Sequence, residues 1–296
     1  MRSAVSIIIN PISGGASPEA ARRRAERASA VLAAAGASGD IFVTERRGHA
    51  RELAAAAVTR GAGLVVAWGG DGTVNEVASA LVFGSTPLAI VPSGSGNGLA
   101  RELDVDRRPE RAIAEALDAR PRRIDAGELG GRLFFSVAGV GFDAHVAACF
   151  DRDLNGPRGL AGYARITGRE LLSYRPGDYH VSGDVAVVAR RAVLVTLANS
   201  PQFGNGARVA PGARVDDGRL DLVVFEETSR VATILALRRL FTGHAERTPG
   251  VAIRQIERAS IESPAPMTFH VDGEPLQAGA RLDARVHPAA LLVCVR

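Results

Sequence analysis

The strongest constraint on how this chain can fold is a repeating unit in its first 125 residues. Each unit is a short run of almost purely apolar residues, a corner of small or polar ones, and a segment with helical spacing. The runs are Val5–Ile9, Asp40–Thr44, Leu64–Trp68 and Leu88–Val91. Helical patterns run from Ser17-Pro18 to near Gly36, from about His49 to Arg60, and over Thr73–Val82. Two more follow the fourth run, near Leu99–Leu103 and over Glu110–Ala119. Strands without polar alternation have no face to give to water, so they suit a parallel sheet covered by helices on both sides. An α/β domain over residues 1–125 is expected.

From about Arg122 the pattern changes. Alternating, β-rich stretches dominate, at Leu133–Val137, Val185–Val188, Ala192–Ala198, Leu220–Phe225, Ile253–Ile261, Thr268–Val271 and Leu291–Val295. Helical spacing persists only at Tyr163–Leu172 and Arg230–Phe241. A second, mainly antiparallel β domain over residues 126–296 is expected, and 296 residues with 46% hydrophobic content can fill two cores.

Ligands of an open α/β sheet sit beyond the carboxyl ends of its strands. The unusual residues fall at those ends: Asn10-Pro11-Ile12-Ser13-Gly14-Gly15, then Thr44, then Gly69-Gly70-Asp71-Gly72-Thr73, then Pro92-Ser93-Gly94-Ser95-Gly96-Asn97-Gly98. Glycine lets backbone N–H groups turn toward a ligand, and a helix starting near Thr73 adds its positive end. Together these corners read as a phosphate cradle made of main chain. A single glycine corner would equally be a tight connection, with Asp71 or Thr73 as a helix N-cap.

A main-chain cradle also answers a gap in composition. The chain has no lysine, so all 36 basic residues are arginine. A P-loop, a protein-kinase strand lysine and a Schiff-base amine are thereby excluded. A carboxylate beside a polyphosphate needs a cation between them, so Asp71 reads as a Mg²⁺ holder. Asp125, where the chain passes between the two domains, is either a second acid of that network or an ordinary strand-end residue. None of the six histidines is spaced as a metal pair, and no zinc is assigned.

These residues resemble the catalytic domain shared by diacylglycerol kinases, sphingosine kinases and bacterial lipid kinases. The matching elements are Asn10-Pro11-x-Ser13-Gly14, Gly69-Gly70-Asp71-Gly72-Thr73-Val74-Asn75-Glu76 and Pro92-Ser93-Gly94-Ser95-Gly96-Asn97. They continue in Ala210-Pro211-x-Ala213-x-x-Asp216-Asp217-Gly218-x-Leu220-Asp221 and Val271-Asp272-Gly273-Glu274. The resemblance implies an α/β nucleotide domain, a β-sandwich-like second domain and ATP-dependent phosphorylation of a lipid hydroxyl in the cleft between them. It assigns ATP contacts to Thr44, Gly69–Asn75 and Ser95, and a structural Mg²⁺ site to Asp217 with the backbone carbonyls of Arg214 and Arg219. Glu274 becomes the catalytic base. On spacing alone, Asp216-Asp217-Gly218 is also a type I turn, and Glu274 a rim residue after a favoured Asp-Gly hairpin turn. Bacterial diacylglycerol kinases of this pattern carry aspartate after the Asn97 position; here it is Gly98, closer to the sphingosine-kinase form, so the lipid is left open among diacylglycerol-, sphingoid- and related alcohols.

No apolar stretch reaches the ~18–20 residues of a membrane span. The run Val5–Ile9 is too short for a signal peptide, and Cys149 and Cys294 read as reduced thiols. A cytoplasmic protein, peripheral at the inner membrane face, is expected. Net charge +4 favours an anionic surface or is a solvated basic one, and no basic tail or aromatic-basic interleaving suggests nucleic acid. Amphipathic stretches Pro157–Arg175 and Ile234–Phe241, flanked by arginine, either dock on a bilayer or pack on the β domain. A homodimer is an expectation with no residue assigned to it. Two rivals stand beside the lipid kinase: an NAD kinase, which also uses a GGDGT loop, and a catalytically silent nucleotide or lipid sensor, which would have no need of both Asp71 and Glu274.

Overall fold

A computed structural model describes residues 4–14, 18–153, 160–184, 191–204, 207–229, 232, 239, 244 and 247–295. The chain forms two compact units, Met1–Ile124 with Ala289–Arg296, and Asp125–Pro288. No local signal marks the last eight residues as belonging with the first unit.

The first unit runs β1 (Val5–Ile9), α1 (Pro18–Ala34), β2 (Gly39–Val43), α2 (His49–Thr59), β3 (Leu64–Gly69), α3 (Asp71–Leu81), β4 (Leu88–Pro92), α4 (Gly98–Glu102) and α5 (Pro109–Asp118). The strands pair in parallel in the order β2-β1-β3-β4. Alternate residues of each strand face opposite helices. Ile7, Ile9, Val66, Trp68 and Val91 join Ala28 and Leu32 of α1 and Ile113 of α5 in one buried cluster. Their neighbours Ile8, Val65, Ala67 and Ile90 are buried as well, as are Ala54 of α2 and Val77 of α3. Because both faces are covered, every residue of β1 and β3 is buried, which is why no polar alternation shows in the sequence. The order reverses between β1 and β3, placing the corners after these two strands at the switch point where open α/β sheets bind ligands.

The second unit adds β5 (Arg122–Leu129), β6 (Arg132–Phe134), β7 (Val137–Gly141), α6 (Phe142–Arg152), α7 (Leu160–Ser173), β8 (His180–Gly183), β9 (Ala192–Ala198), β10 (Gln202–Gly204), β11 (Ala207–Arg208), β12 (Leu220–Glu226), β13 (Val251–Ile256), β14 (Arg258–Glu262), β15 (Thr268–Val271), β16 (Glu274–Gln277) and β17 (Arg281–Val293). An antiparallel sheet of order β13-β12-β9-β7-β15-β16 faces a second layer in which β14 lies between β17 and β8, with β5 and β6 attached. Val195, Leu222 and Phe269 from the first layer meet Phe134, Ile261 and Leu282 from the second in one buried core. On the outer face of the first layer, Val193, Val223 and Phe225 pack with Phe142 and Val146 of α6 and Ile166 of α7. The end of β17 leaves this unit and pairs in parallel with β4, Val293 beside Leu88. The architecture is the expected one, a parallel α/β layer and an antiparallel β sandwich.

Several expectations need correcting. Helix α3 starts at Asp71, two residues before the expected Thr73, with Gly70 as its N-cap and no side-chain cap, so neither Asp71 nor Thr73 caps it. The expected β-rich run contains a further helix, α6. Gly141 at φ 103 ends β7, and Phe142, Val146 and Cys149 then recur at helical spacing. The stretch Leu133–Val137 divides between β6 and β7, because Phe135, Ser136 and Val137 turn their N–H groups to Asp272. The stretch Ile253–Ile261 divides at Glu257, where the chain changes layers and the Glu257 N–H donates to Asp184 at 2.6 Å. Asp125 lies within β5 rather than at a strand end. Of the stretch Leu291–Val295, Leu291–Val293 is the tail of the much longer β17, whose exposed arginines hid its first half. The Val185–Val188 strand lies outside the described residues, as do residues 157–159 of the first amphipathic stretch and the 230–241 helix except Ala232 and Arg239. In α7, Ile166 is buried against the β layer, Arg165 pairs with Asp153, and Arg169 pairs with Glu170 at 2.8 Å.

Candidate active site

Three corners of the first unit lock together at the carboxyl ends of β1, β3 and β4. The Asn10 side-chain amide donates to Thr73 Oγ1 at 2.9 Å, joining the first corner to α3. The hydroxyls of Ser13 and Ser93 lie 2.7 Å apart, joining the first corner to the third. Gly94 and Gly70 meet backbone to backbone, since a Cβ on Gly94 would fall 2.5 Å from the Gly70 Cα. Gly14, at φ 72, leaves no room for a Cβ against the Ser93 carbonyl. Arg24 of α1 holds the first corner shut, its Nη1 donating to the Asn10 carbonyl (2.8 Å) and Ser13 Oγ (2.9 Å), its Nη2 to the Ser13 carbonyl (2.8 Å). Burial lowers the pKa of this guanidinium from its ordinary value.

Asp71 is the centre of this arrangement. One carboxylate oxygen accepts the Gly98 N–H at 2.7 Å and the other the Asn97 N–H at 2.9 Å, so the carboxylate ties the second corner to the start of α4. Asn97, held at φ 51, closes its own loop: its side chain accepts the Gly94 N–H (2.9 Å) and donates to the Gly94 carbonyl (2.7 Å). The α3 N-terminus meanwhile carries no side-chain cap, and the ideal Cβ position of Gly72 in its first turn points into open space. Backbone N–H groups at such an uncapped helix start can receive an anion.

The remaining residues assigned to this unit are placed as follows. Thr44 is buried just beyond β2, its N–H donating to the Ile9 carbonyl at 2.9 Å. Ser95 is exposed on the third corner. Asn75 lies one turn into α3 and accepts the Ser79 hydroxyl at 3.4 Å. Its neighbour Glu76, unassigned from sequence, accepts the N–H groups of Gly48 (2.8 Å) and Ala50 (3.1 Å), and so fixes the start of α2.

In the second unit, Glu274 follows a two-residue turn in which Asp272 (φ 46) and Gly273 (φ 86) are both left-handed, the geometry that favours a tight hairpin. Val271 and Glu274 pair directly across it, and Glu274 is exposed. Asp272 anchors the turn. Its carboxylate accepts the N–H groups of Phe135 (2.9 Å), Ser136 (2.8 Å) and Val137 (3.1 Å), and its own N–H donates to the Val137 carbonyl at 2.8 Å. Beneath the turn, buried His270 accepts the Gly273 N–H at Nδ1 (3.3 Å), which leaves Nε2 as the donor toward Asp143 Oδ2 at 3.2 Å. Thr196 also donates to that oxygen, at 2.8 Å. Asp272, His270 and Asp143 were missed in the sequence because their partners are distant along the chain.

The other acids assigned to metal, Asp125 and Asp217, meet one turn of this unit. Asp125, buried in β5, accepts the Gly218 N–H at 2.7 Å. Asp217 accepts the Arg219 N–H and the Gln255 side-chain amide, both at 3.1 Å. The Arg214 and Arg219 side chains turn to Asp216 (3.3 Å) and Glu257 (3.5 Å). Asp221 joins them unassigned: burial and then the Asp217 charge push its carboxyl up to about 6. Two repelling carboxylates, one of them buried, fit a cation placed among them.

Comparison with known proteins finds two family models along the chain. The model of the diacylglycerol kinase catalytic domain covers residues 4–129, and that of the YegS C-terminal NAD kinase beta sandwich-like domain covers residues 136–295. A probable YegS-like lipid kinase of Pseudomonas putida is 34% identical over 263 residues, spanning 85% of this chain and 83% of that protein. One from Pseudomonas aeruginosa is 32% identical over 264 residues, spanning 86% and 83%. Among solved structures, a putative diacylglycerol kinase from Bacillus anthracis matches in fold with TM-score 0.80 at 20% identity, over 100% of this chain and 97% of that one. The chain belongs to the YegS-like lipid kinase family, with a diacylglycerol kinase catalytic domain and the family's β-sandwich-like domain.

Proposed function

We propose that this lipid kinase transfers the γ-phosphoryl group of ATP, with Mg²⁺, to the hydroxyl of a membrane lipid alcohol of the diacylglycerol, sphingoid or a related class. The observation that carries the reading is the interlock of three glycine-rich corners beside the uncapped start of α3. Asn10, Gly14, Thr44, Gly69, Gly70, Gly72, Thr73, Asn75, Ser95 and Asn97 line the nucleotide site, and their amides do the work that lysine does in a P-loop. Asp71 would hold the cation at the phosphates, and Asp217 with the carbonyls of Arg214 and Arg219, beside Asp125, would hold a second, structural one. Bound Mg²⁺ neutralises phosphate charge. Glu274 accepts the hydroxyl proton as the lipid oxygen bonds to the γ-phosphorus and the bond to the β-phosphate oxygen breaks, releasing ADP.

No described helix is long and apolar enough to cross a membrane. A cytoplasmic enzyme reaching its substrate peripherally, with net charge +4 favouring an anionic inner face, accords with that. A homodimer, with no residue assigned to it, is checked by sedimentation velocity.

The test is labelling of a lipid extract with γ-labelled ATP, followed by mass spectrometry of the lipids that gain phosphate. Glu274→Gln should lower transfer by about 10²–10⁴-fold, the usual worth of a general base, with nucleotide affinity unchanged. Equal labelling by both proteins removes the base, and phosphorylation of NAD with none of any lipid overturns the reading.

A further inference from the structure

The helices α6 and α7 bring together three side chains that phosphoryl transfer does not use. His145 and Cys149 stand one turn apart on the same face of α6. Glu170 reaches them from α7. His145 Nε2 lies 2.8 Å from Glu170 Oε2 and 3.7 Å from Cys149 Sγ, and one ligand atom from each residue falls within 4.8 Å of the others. Tetrahedral zinc with ordinary bond lengths would set the nitrogen–sulfur separation near ~3.6 Å and the nitrogen–oxygen separation near ~3.3 Å. The first is already met, and the second needs the His145–Glu170 bond to open by about half an ångström. The other Glu170 oxygen is held by Arg169 at 2.8 Å, which turns Oε2 toward the imidazole. The Tyr174 ring packs beside that imidazole, 5.4 Å between centroids. Such outer contacts orient ligands in metal sites. All three residues are half-buried, so an ion and a water can enter.

We propose that His145, Cys149 and Glu170 form a site for zinc or a similarly borderline-soft divalent cation, which clamps α6 to α7 with water as the fourth ligand. A thiol, an imidazole and one carboxylate select against Mg²⁺, which prefers oxygen ligands, so this site is separate in chemistry from the acids assigned to the kinase. An ion pair between helices would need only His145 and Glu170. The thiol in register is what an ion pair leaves unexplained. The clamp acts on the helix whose first turn carries Asp143, the partner of His270 beneath the Glu274 hairpin.

The experiment uses the untagged full chain, stripped with a chelator and titrated with Co²⁺ and with Zn²⁺ against a chromophoric competitor. One equivalent should bind, Co²⁺ should show a thiolate-to-cobalt charge-transfer band, and Zn²⁺ should raise the thermal midpoint. Cys149→Ser should abolish the band and weaken Zn²⁺ at least tenfold. His145→Ala should weaken Zn²⁺ similarly, and Cys294→Ser should keep the band. Should the variants not fold, alkylation of the native chain serves: Zn²⁺ should slow modification of Cys149, located by peptide mass spectrometry. A Co²⁺ spectrum without thiolate, Zn²⁺ affinity unchanged in Cys149→Ser, or unprotected Cys149 overturns the site.

Discussion

The glycine corners of the first unit and the Asp272–Glu274 hairpin of the second are made rigid by opposite means. The corners are held by main chain packed on main chain, Gly94 against Gly70 and Gly14 against the Ser93 carbonyl, and present amides. The hairpin is held by one carboxylate gathering three amides from residues 135–137, and presents a carboxylate. A site of amides is damaged by adding atoms, because its working surface is the space glycine leaves. A site resting on one side chain is damaged by removing atoms. Changes in the two places should therefore separate in what they alter, nucleotide affinity in one and turnover in the other.

The largest effect after loss of Glu274 itself should come from Asp272. Asp272→Ala orphans three N–H groups and puts alanine at φ 46, so a stability loss of about 2–4 kcal/mol is expected. Asp272→Asn keeps one acceptor oxygen and a residue tolerant of that backbone, and should cost about half as much. In both, kcat should fall while KM for ATP stays put. A parallel rise in KM for ATP would mean that the hairpin serves nucleotide binding, and the contrast drawn here would fail.

A pH effect comes next, from the acid cluster. Asp221 holds its proton up to about 6, against 3.8 for an ordinary aspartate. Between those values the native chain binds more protons than the unfolded one, so this carboxyl's contribution to stability is greatest below 3.8 and is lost as pH rises through 6. The loss is on the order of 2–3 kcal/mol. Asp221→Asn should remove it, so that the variant gains on wild type with rising pH in paired thermal melts. Adding Mg²⁺ above that pH should narrow the gap if a cation enters beside Asp217. An unchanged difference across the range would mean that burial does not raise the Asp221 carboxyl.

What could be read from sequence follows the same contrast. Strands β1, β3 and β4 were legible because burial on both faces demands apolar residues throughout, and the corners because each lies within a few residues of its strand. The hairpin turn was legible too, since Asp-Gly supplies two left-handed residues in succession. The anchor of that hairpin was not, because Asp272 bonds residues some 136 positions away. Helix α6 was hidden because it starts directly after β7 with no side-chain cap to signal it, and the first half of β17 by arginines on its wet face. The three-residue cluster on α6 and α7 escaped a search for paired histidines, since its ligands mix types and come from two helices.

The smallest change is also the sharpest test of the corners. At Gly94 or Gly14 an added Cβ would strike backbone, so lost activity there would mix damage to the fold with damage to the site. Gly72 has no such neighbour: nothing lies within 4 Å of the position its Cβ would take, and its φ is not in the left-handed region. Gly72→Ala should leave the thermal midpoint unchanged or raise it slightly, because alanine favours helix by roughly 0.5–1 kcal/mol over glycine. If phosphate approaches the start of α3, the methyl group stands in its path and ATP affinity should drop about tenfold, equivalent to about 1.4 kcal/mol. A fully stable Gly72→Ala that binds ATP as wild type does would show that the nucleotide does not use these amides, and the main-chain cradle would lose its ligand.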